Sequence, residues 1–224
     1  MIEGPHLVAA ALAAEIRPSA LIATEAALAK PEVAALVRQS RIAPVLVSAS
    51  VFGAIADAQT PPGIAAEIPL PELKRDGSAV FLEGVQDAGN VGAIIRSAAA
   101  FGVATLTVDR HCADPWSPKV LRAGMGGHFT IGIRQVEDLG NAVSAFGGRT
   151  ICTVVEGGRP LREVPLSGRI AWMFGAEGAG LSKEIVSKAS ERVTIPMSGG
   201  ESLNVAAAAA ICLYEAFSKP AGGS

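Results

Sequence analysis

The residues best suited to chemistry lie in three strand–loop–helix junctions. The first is "LEGVQDAGNVGAIIRSAAAFGV", residues 82–103. It opens as an apolar strand, passes through a polar loop and closes with helical periodicity. Around the loop stand Asp87, Asn90 and Arg96. An asparagine there can cap the helix or hold a substrate group. An arginine amid "AIIRSAAA" is one strong cation on an apolar helix, suited to an anion. Gly89 and Gly92 let the backbone turn and approach a partner. Asp87 is expected to brace the loop by accepting bonds from nearby backbone N–H groups.

The second junction is "WMFGAEGAGLSKEI", with Glu177 among Gly175, Gly178 and Gly180. Its glycine order is not the dinucleotide fingerprint, and it has no P-loop lysine. The third is "VTIPMSGGESLNVAAAAAICLYEAF". A strand ends at Pro196, and a glycine turn leads to Ser202, Leu203 and Asn204. Ser202 is expected to cap the long helix, with Asn204 in its first turn, where asparagine is a weak helix former. Each stretch alone is equally well a capped helix or a tight turn. Together they put three polar-tipped loops at the strand ends of one sheet, where α/β folds place ligands.

Other chemistries find little support. The histidines are His6, His111 and His128, and no G-x-S-x-G elbow accompanies them. Cys112, Cys152 and Cys212 are far apart, so no metal site is expected. They read as reduced, mostly buried thiols of a cytoplasmic protein. The formal net charge is −2. A nucleic-acid surface would therefore have to be a local basic patch. No apolar run reaches about 18 residues, so no membrane span is expected. The start, with Glu3 and Glu15 and no basic lead, does not read as a signal peptide.

The elements that position these loops follow from pattern. In the first 70 residues helices are expected over 3–16, 31–40 and 50–58, the last capped by Ser50, with strands over 19–24, 43–49 and 63–68. A proline-rich and charged stretch ends this region. From Ser78 strands and helices alternate, including strands over 79–85, 128–136, 169–175 and 191–197 and a helix capped by Ser182. This is an α/β pattern with a mostly parallel sheet covered on both faces. The tail "SKPAGGS" is expected to fray.

In order, the three junctions resemble the motifs of the SpoU/TrmH family, RNA ribose 2′-O-methyltransferases of the SPOUT superfamily. The matching residues are N-V-G-x-x-x-R, F-G-x-E-G-x-G-L and I-P-M…S-L-N-V, and the resemblance covers residues 78–218. The first 70 residues, through "EGPHLVAAAL" and "TPPGIAAEI", are similar to the ribosomal-protein-like α/β domain that often precedes this catalytic domain. The resemblance implies an RNA substrate-binding domain over 1–72, a linker over 73–77 and a methyltransferase domain over 78–224. It further implies a C-terminal trefoil knot, an exception to the rarity of knots. S-adenosylmethionine would bind in the knotted loops, and the protein would be a homodimer without metal.

Residue by residue, the resemblance implies cofactor contacts from Gly175, Ile195 and Leu203, with Met197 and Ser202 lining the same pocket. It implies catalytic roles for Asn90, Arg96, Glu177, Ser202 and Asn204. Arg96 matches the residue proposed to activate the ribose hydroxyl. A guanidinium holds its proton too firmly to be an obvious base. Clamping the phosphate beside the target ribose is therefore the first expectation, with proton removal left open. "WSPKVLRAGMGGHF" is similar to the family's S-x-K-x-x-R-A-S-x-G, which implies RNA contacts from Lys119 and Arg122 beside Arg96.

The chain also departs from the family. Relatives carry more chain before Glu3-Gly4, so a truncated first domain is expected. Gly124 stands where serine is common, the loop over 198–201 is about one residue short, and the second serine after Asn204 is missing. The expected activity is 2′-O-methylation of a ribose in structured RNA, ribosomal RNA slightly ahead of transfer RNA. The alternatives are a non-catalytic RNA-binding protein and a methyltransferase acting on a small molecule.

Overall fold

The computed structural model describes residues 1–72, 75–199 and 202–218. The chain divides into two compact units, Met1–Glu72 and a second that begins at Leu73. Leu73 and Lys74 of the expected linker, Gly200 and Glu201 of the shortened loop, and the tail from Lys219 lie outside the described residues.

The first unit runs β1 (Ile2–Glu3), α1 (Pro5–Ala13), β2 (Ala20–Ala23), α2 (Glu25–Leu28), α3 (Pro31–Ser40), β3 (Val45–Leu46), α4 (Ala49–Ile55) and β4 (Ile64–Glu67). Its sheet order is β1-β4-β2-β3. β4 is antiparallel to β1 and β2, and β3 is parallel to β2. Val8, Leu21, Phe52 and Ile64 form the buried interior. Ser48, not Ser50, caps α4, accepting from the Val51 N–H at 3.2 Å. The helix starts earlier than its apolar pattern suggested. β1 and α2 are too short to show a period, and the sequence does not reveal them.

The second unit runs β5 (Ala79–Glu83), α5 (Ala88–Ala100), β6 (Thr105–Asp109), α6 (Pro118–Gly124), β7 (Gly132–Val136), α7 (Leu139–Ser144), β8 (Arg149–Thr153), β9 (Arg159–Pro160), β10 (Ile170–Gly175), α8 (Lys183–Ser187), β11 (Glu191–Thr194) and α9 (Val205–Ser218). Its seven strands lie in the order β7-β6-β5-β10-β8-β11-β9, each neighbouring pair parallel. A parallel sheet needs cover on both faces, and strand alternation supplies it. Trp172 and Phe174 of β10 pack with Ile94 and Ile95 of α5 and with Cys212 and Leu213 of α9. Their neighbours Ala171 and Met173 pack with Leu139 and Val143 of α7 and Ile185 of α8.

Two further expectations are corrected. Residues 128–136 do not form one strand: Gly127–Phe129 is a 3-10 turn, and β7 starts at Gly132. Ser202 does not cap α9, because the helix begins at Val205 and Asn204 occupies the capping position. Its Oδ1 accepts from the N–H groups of Ala206 and Ala207 at 3.0 and 3.2 Å. Near the start of the second unit Arg169 pairs with Asp76 at 2.9 Å and donates to the Gly77 carbonyl at 3.0 Å.

Candidate active site

The site starts from how α5 and α9 are capped. Asp87 caps α5, its Oδ1 accepting from the Asn90 N–H at 2.8 Å. The Asn90 side chain is thereby spared for another partner. The cap on α9 turns the Asn204 carbonyl oxygen toward the helix and its Nδ2 outward. That Nδ2 donates to Asn90 Oδ1 and to Glu177 Oε1, each at 3.0 Å. Asn90 Nδ2 donates to the same Glu177 oxygen at 2.5 Å. The α9 cap thus settles both amide orientations. Three loops far apart in sequence close into one ring of side chains.

Arg96 is not in that ring. It stands six residues beyond Asn90, about 9 Å along the helix. Its side chain is exposed and makes no hydrogen bond or ion pair with any described residue. Lys119 is exposed on α6, and Arg122 on the same helix is half-buried. α6 lies hard against α5 at Gly92, where a Cβ would stand 2.4 Å from Ala123 Cβ and 2.7 Å from the Val120 carbonyl oxygen. Gly92 therefore serves packing between two helices rather than a loop turn.

Beside the ring is a cavity of about 350 Å³. Gly175, Ile195, Met197, Ser202 and Leu203 all line it, and Glu177 belongs to both cavity and ring. The wall between Gly175 and Leu181 is a folded-back loop. Gly180 N–H donates to the Ala176 carbonyl at 2.8 Å, and Gly178 and Gly180 hold φ of +83° and +69°. Ser182 caps α8, and its N–H donates to Glu83 Oε2 at the end of β5 at 2.7 Å.

Two groups at the site are not evident from the sequence. Thr153, Val154 and Val155 line the cavity because β8 lies between β10 and β11. Chain order gives no sign of that insertion. Asp109, at the end of β6, accepts from the N–H groups of Gly84, His111 and Cys112 at 3.1, 3.0 and 2.9 Å. This clip fixes the loop that leads to Asn90. Burial, then Asp109, pushes the Cys112 thiol up to about 12, so it stays protonated and inert. Cys152 and Cys212 are likewise free and buried. Among the described residues no cluster of histidine, cysteine or acids could hold a metal, and no helix is long and apolar enough to cross a membrane.

The model of the SpoU rRNA methylase family matches residues 77–214, more than half of the chain. The chain belongs to the SpoU rRNA methylase family. Residues 1–66 match the MRM3-like substrate-binding domain. The 23S rRNA (guanosine(2553)-2′-O)-methyltransferase RlmP of Bacillus subtilis (strain 168) is 33% identical over 220 residues, 96% of this chain and 86% of that protein. The SpoU methyltransferase AviRb from Streptomyces viridochromogenes, solved with S-adenosylmethionine, superposes with a TM-score of 0.86 at 26% identity, over 96% of this chain and 88% of that one. An S-adenosylmethionine-bound rRNA methyltransferase from Sinorhizobium meliloti superposes with a TM-score of 0.78 at 29% identity, over 96% and 85%.

S-adenosylmethionine is the cofactor of the SpoU family, and the cavity fits it. Val154, Leu181, Ile195 and Leu203 offer apolar walls, while Glu177, Ser202 and the loop backbone offer polar ends. Mixed linings of this kind suit an adenosine joined to a charged amino-acid arm.

A buried histidine in this SpoU unit also titrates far from its ordinary range. Burial pushes the His128 imidazole down from 6.5 to about 4, partly opposed by its bond to Pro115. Between those values the unfolded chain binds more protons than the folded one. Stability is thus complete above pH 6.5 and is expected to fall by about 3 kcal/mol as pH drops to 4. Urea midpoints taken at neutral pH and near the lower limit check this. His128→Phe should remove much of the fall, and an undiminished fall in that variant contradicts the assignment.

Proposed function

We propose that the chain transfers a methyl group from S-adenosylmethionine to the 2′-hydroxyl of a ribose in structured RNA. The carrying observation is Glu177, which lines the cavity and accepts from both Asn90 and Asn204. The cofactor, when bound, supplies an electrophilic methyl on a good leaving group. The chain's own task is to hold the ribose oxygen in line with that methyl and to help its proton leave. Asn90 and Asn204, oriented by Glu177, position the ribose, with Ser202 beside them. Arg96 clamps the adjacent phosphate as a bidentate donor. Lys119 and Arg122, on the helix packed against α5, extend that contact along the RNA.

In this reading residues 78–224 are the methyltransferase domain and 1–72 bring the RNA substrate. Ribosomal RNA is placed ahead of transfer RNA, supported by the likeness to RlmP over nearly the whole chain. The reading includes a trefoil knot. Its support is topological: β10 inserts between β5 and β8, and α9 then returns to pack on α5. A cytoplasmic setting is supported by three unpaired thiols.

The reading also includes a homodimer. Ile211, Tyr214 and Phe217 of α9 are 41%, 56% and 64% exposed. The Phe101 ring lies 5.9 and 5.8 Å from those of Tyr214 and Phe217. Such an apolar face suits a second copy. The wild type is expected to sediment as a dimer and Phe217→Glu as a monomer. A wild-type monomer at micromolar concentration refutes the dimer.

The activity is tested by supplying methyl-labelled S-adenosylmethionine with purified ribosomal RNA and transfer RNA in separate reactions. Label in the ribosomal RNA is expected. Cofactor binding without label in either RNA refutes the proposal.

A further inference from the structure

A clamp works only if its guanidinium is held in place, yet Arg96 has no anchoring side chain among the described residues. Its surroundings supply the restraint. The turn that follows α6 rests directly on the helix at this point. A Cβ on Gly127 would stand 3.3 Å from Arg96 Cα, 3.2 Å from the Ile95 carbonyl oxygen and 3.2 Å from Ala99 Cβ. The next residue, His128, is 0% exposed. Its Nε2 donates to the Pro115 carbonyl at 2.8 Å, and its ring lies 5.3 Å from that of Trp116. Pro115 and Trp116 lie just ahead of Ser117, the residue that precedes α6. The imidazole therefore ties the two ends of α6 together.

The space for that ring is made at Gly124. A Cβ there would stand 2.4 Å from His128 Cε1 and 2.8 Å from its Nδ1. Any side chain at position 124 would collide with the imidazole, so Gly124 and His128 form a matched pair. Nδ1 is buried with no hydrogen-bond partner among the described residues. An unmet buried polar atom costs stability. A hydrocarbon ring would fill the same space without that cost. What the imidazole adds is the bond to Pro115.

We propose that His128 is a positioning residue for Arg96, locking α6 and the Gly126–Gly127 turn against α5 so that Arg96 and the α6 cations meet RNA phosphate as one fixed surface. The proposal rests on Arg96 acting on RNA, as set out above. His128→Phe keeps the ring shape and loses the donor. His128→Gln places an amide N–H near the former Nε2. Each is made alone and with Arg96→Lys. Turnover and KM for RNA are measured, with S-adenosylmethionine affinity by calorimetry.

His128→Phe is expected to lose about tenfold in kcat/KM for RNA. Cofactor affinity should stay within about twofold, and His128→Gln should recover most of the loss. In the Arg96→Lys background the same change should cost less than about twofold, because the two residues act as one unit. A normal His128→Phe enzyme beside an impaired Arg96→Lys overturns the proposal alone. So does a loss of equal size in both backgrounds, which marks a merely structural role. A fully active Arg96→Lys enzyme overturns the reading of Arg96, and this proposal with it. Should the Phe variant fail to fold, His128→Asn, whose shorter amide falls short of Pro115, is compared with His128→Gln in its place.

Discussion

Arg96→Ala is expected to lower kcat/KM for RNA methylation about a hundredfold, roughly the worth of a lost bidentate phosphate contact. Affinity for S-adenosylmethionine should not change, because Arg96 does not line the cavity. Folding should also be preserved, since the side chain is exposed and bonded to no described residue. Arg96→Lys keeps the charge and loses the fork, so about a tenfold loss is expected there. Steady-state kinetics with ribosomal RNA separates the possibilities. Near-full turnover by the lysine enzyme would argue against a bidentate clamp. Weakened cofactor binding by the alanine enzyme would argue that Arg96 belongs to the other half of the site.

Gly175→Ala is expected to weaken S-adenosylmethionine binding at least about a hundredfold by calorimetry, some 3 kcal/mol. The methyl group would stand 2.2 Å from the Gly180 carbonyl carbon, 2.3 Å from its oxygen and 2.3 Å from the Leu181 nitrogen. These are backbone atoms of the loop that walls the cavity, so no side chain can swing aside. Accommodating the methyl means opening the loop. That also breaks the Gly180–Ala176 hydrogen bond and moves Glu177 out of the ring. Gly53→Ala is the matched control. It has nothing within 4 Å and an ordinary φ, and it should bind normally. Wild-type affinity in Gly175→Ala would mean that the loop is not the cofactor wall.

What could be read from the sequence depended on range. The three loops were legible because each couples a strand to a helix through a run of glycines and polar residues. The residues facing the cavity from β10 and from the segment after β11 stood within those same stretches. Asp87 could be read as a brace because its bond reaches only three residues along the chain. Asn204 was misplaced within α9, because a helix boundary cannot be fixed when asparagine and serine are both available as caps. Thr153, Val154 and Val155 were illegible for another reason. Their place at the cavity follows from strand order, and no local pattern says that β8 sits beside β10. The Asp109 clip and the His128 tie were hidden likewise. An aspartate at a strand end and a histidine in a glycine-rich turn are ordinary until the backbone groups they meet are known.

The ring of Asn90, Glu177 and Asn204 makes a claim about one oxygen atom, and alkali tests it most directly. RNA labelled with S-[methyl-³H]adenosylmethionine by this chain is hydrolysed in base, where cleavage needs a free 2′-hydroxyl. If the ribose oxygen is the acceptor, the label is retained in alkali-resistant dinucleotides and the Asn204→Ala enzyme yields almost none. Label recovered in mononucleotides would place the methyl on a base and contradict the account.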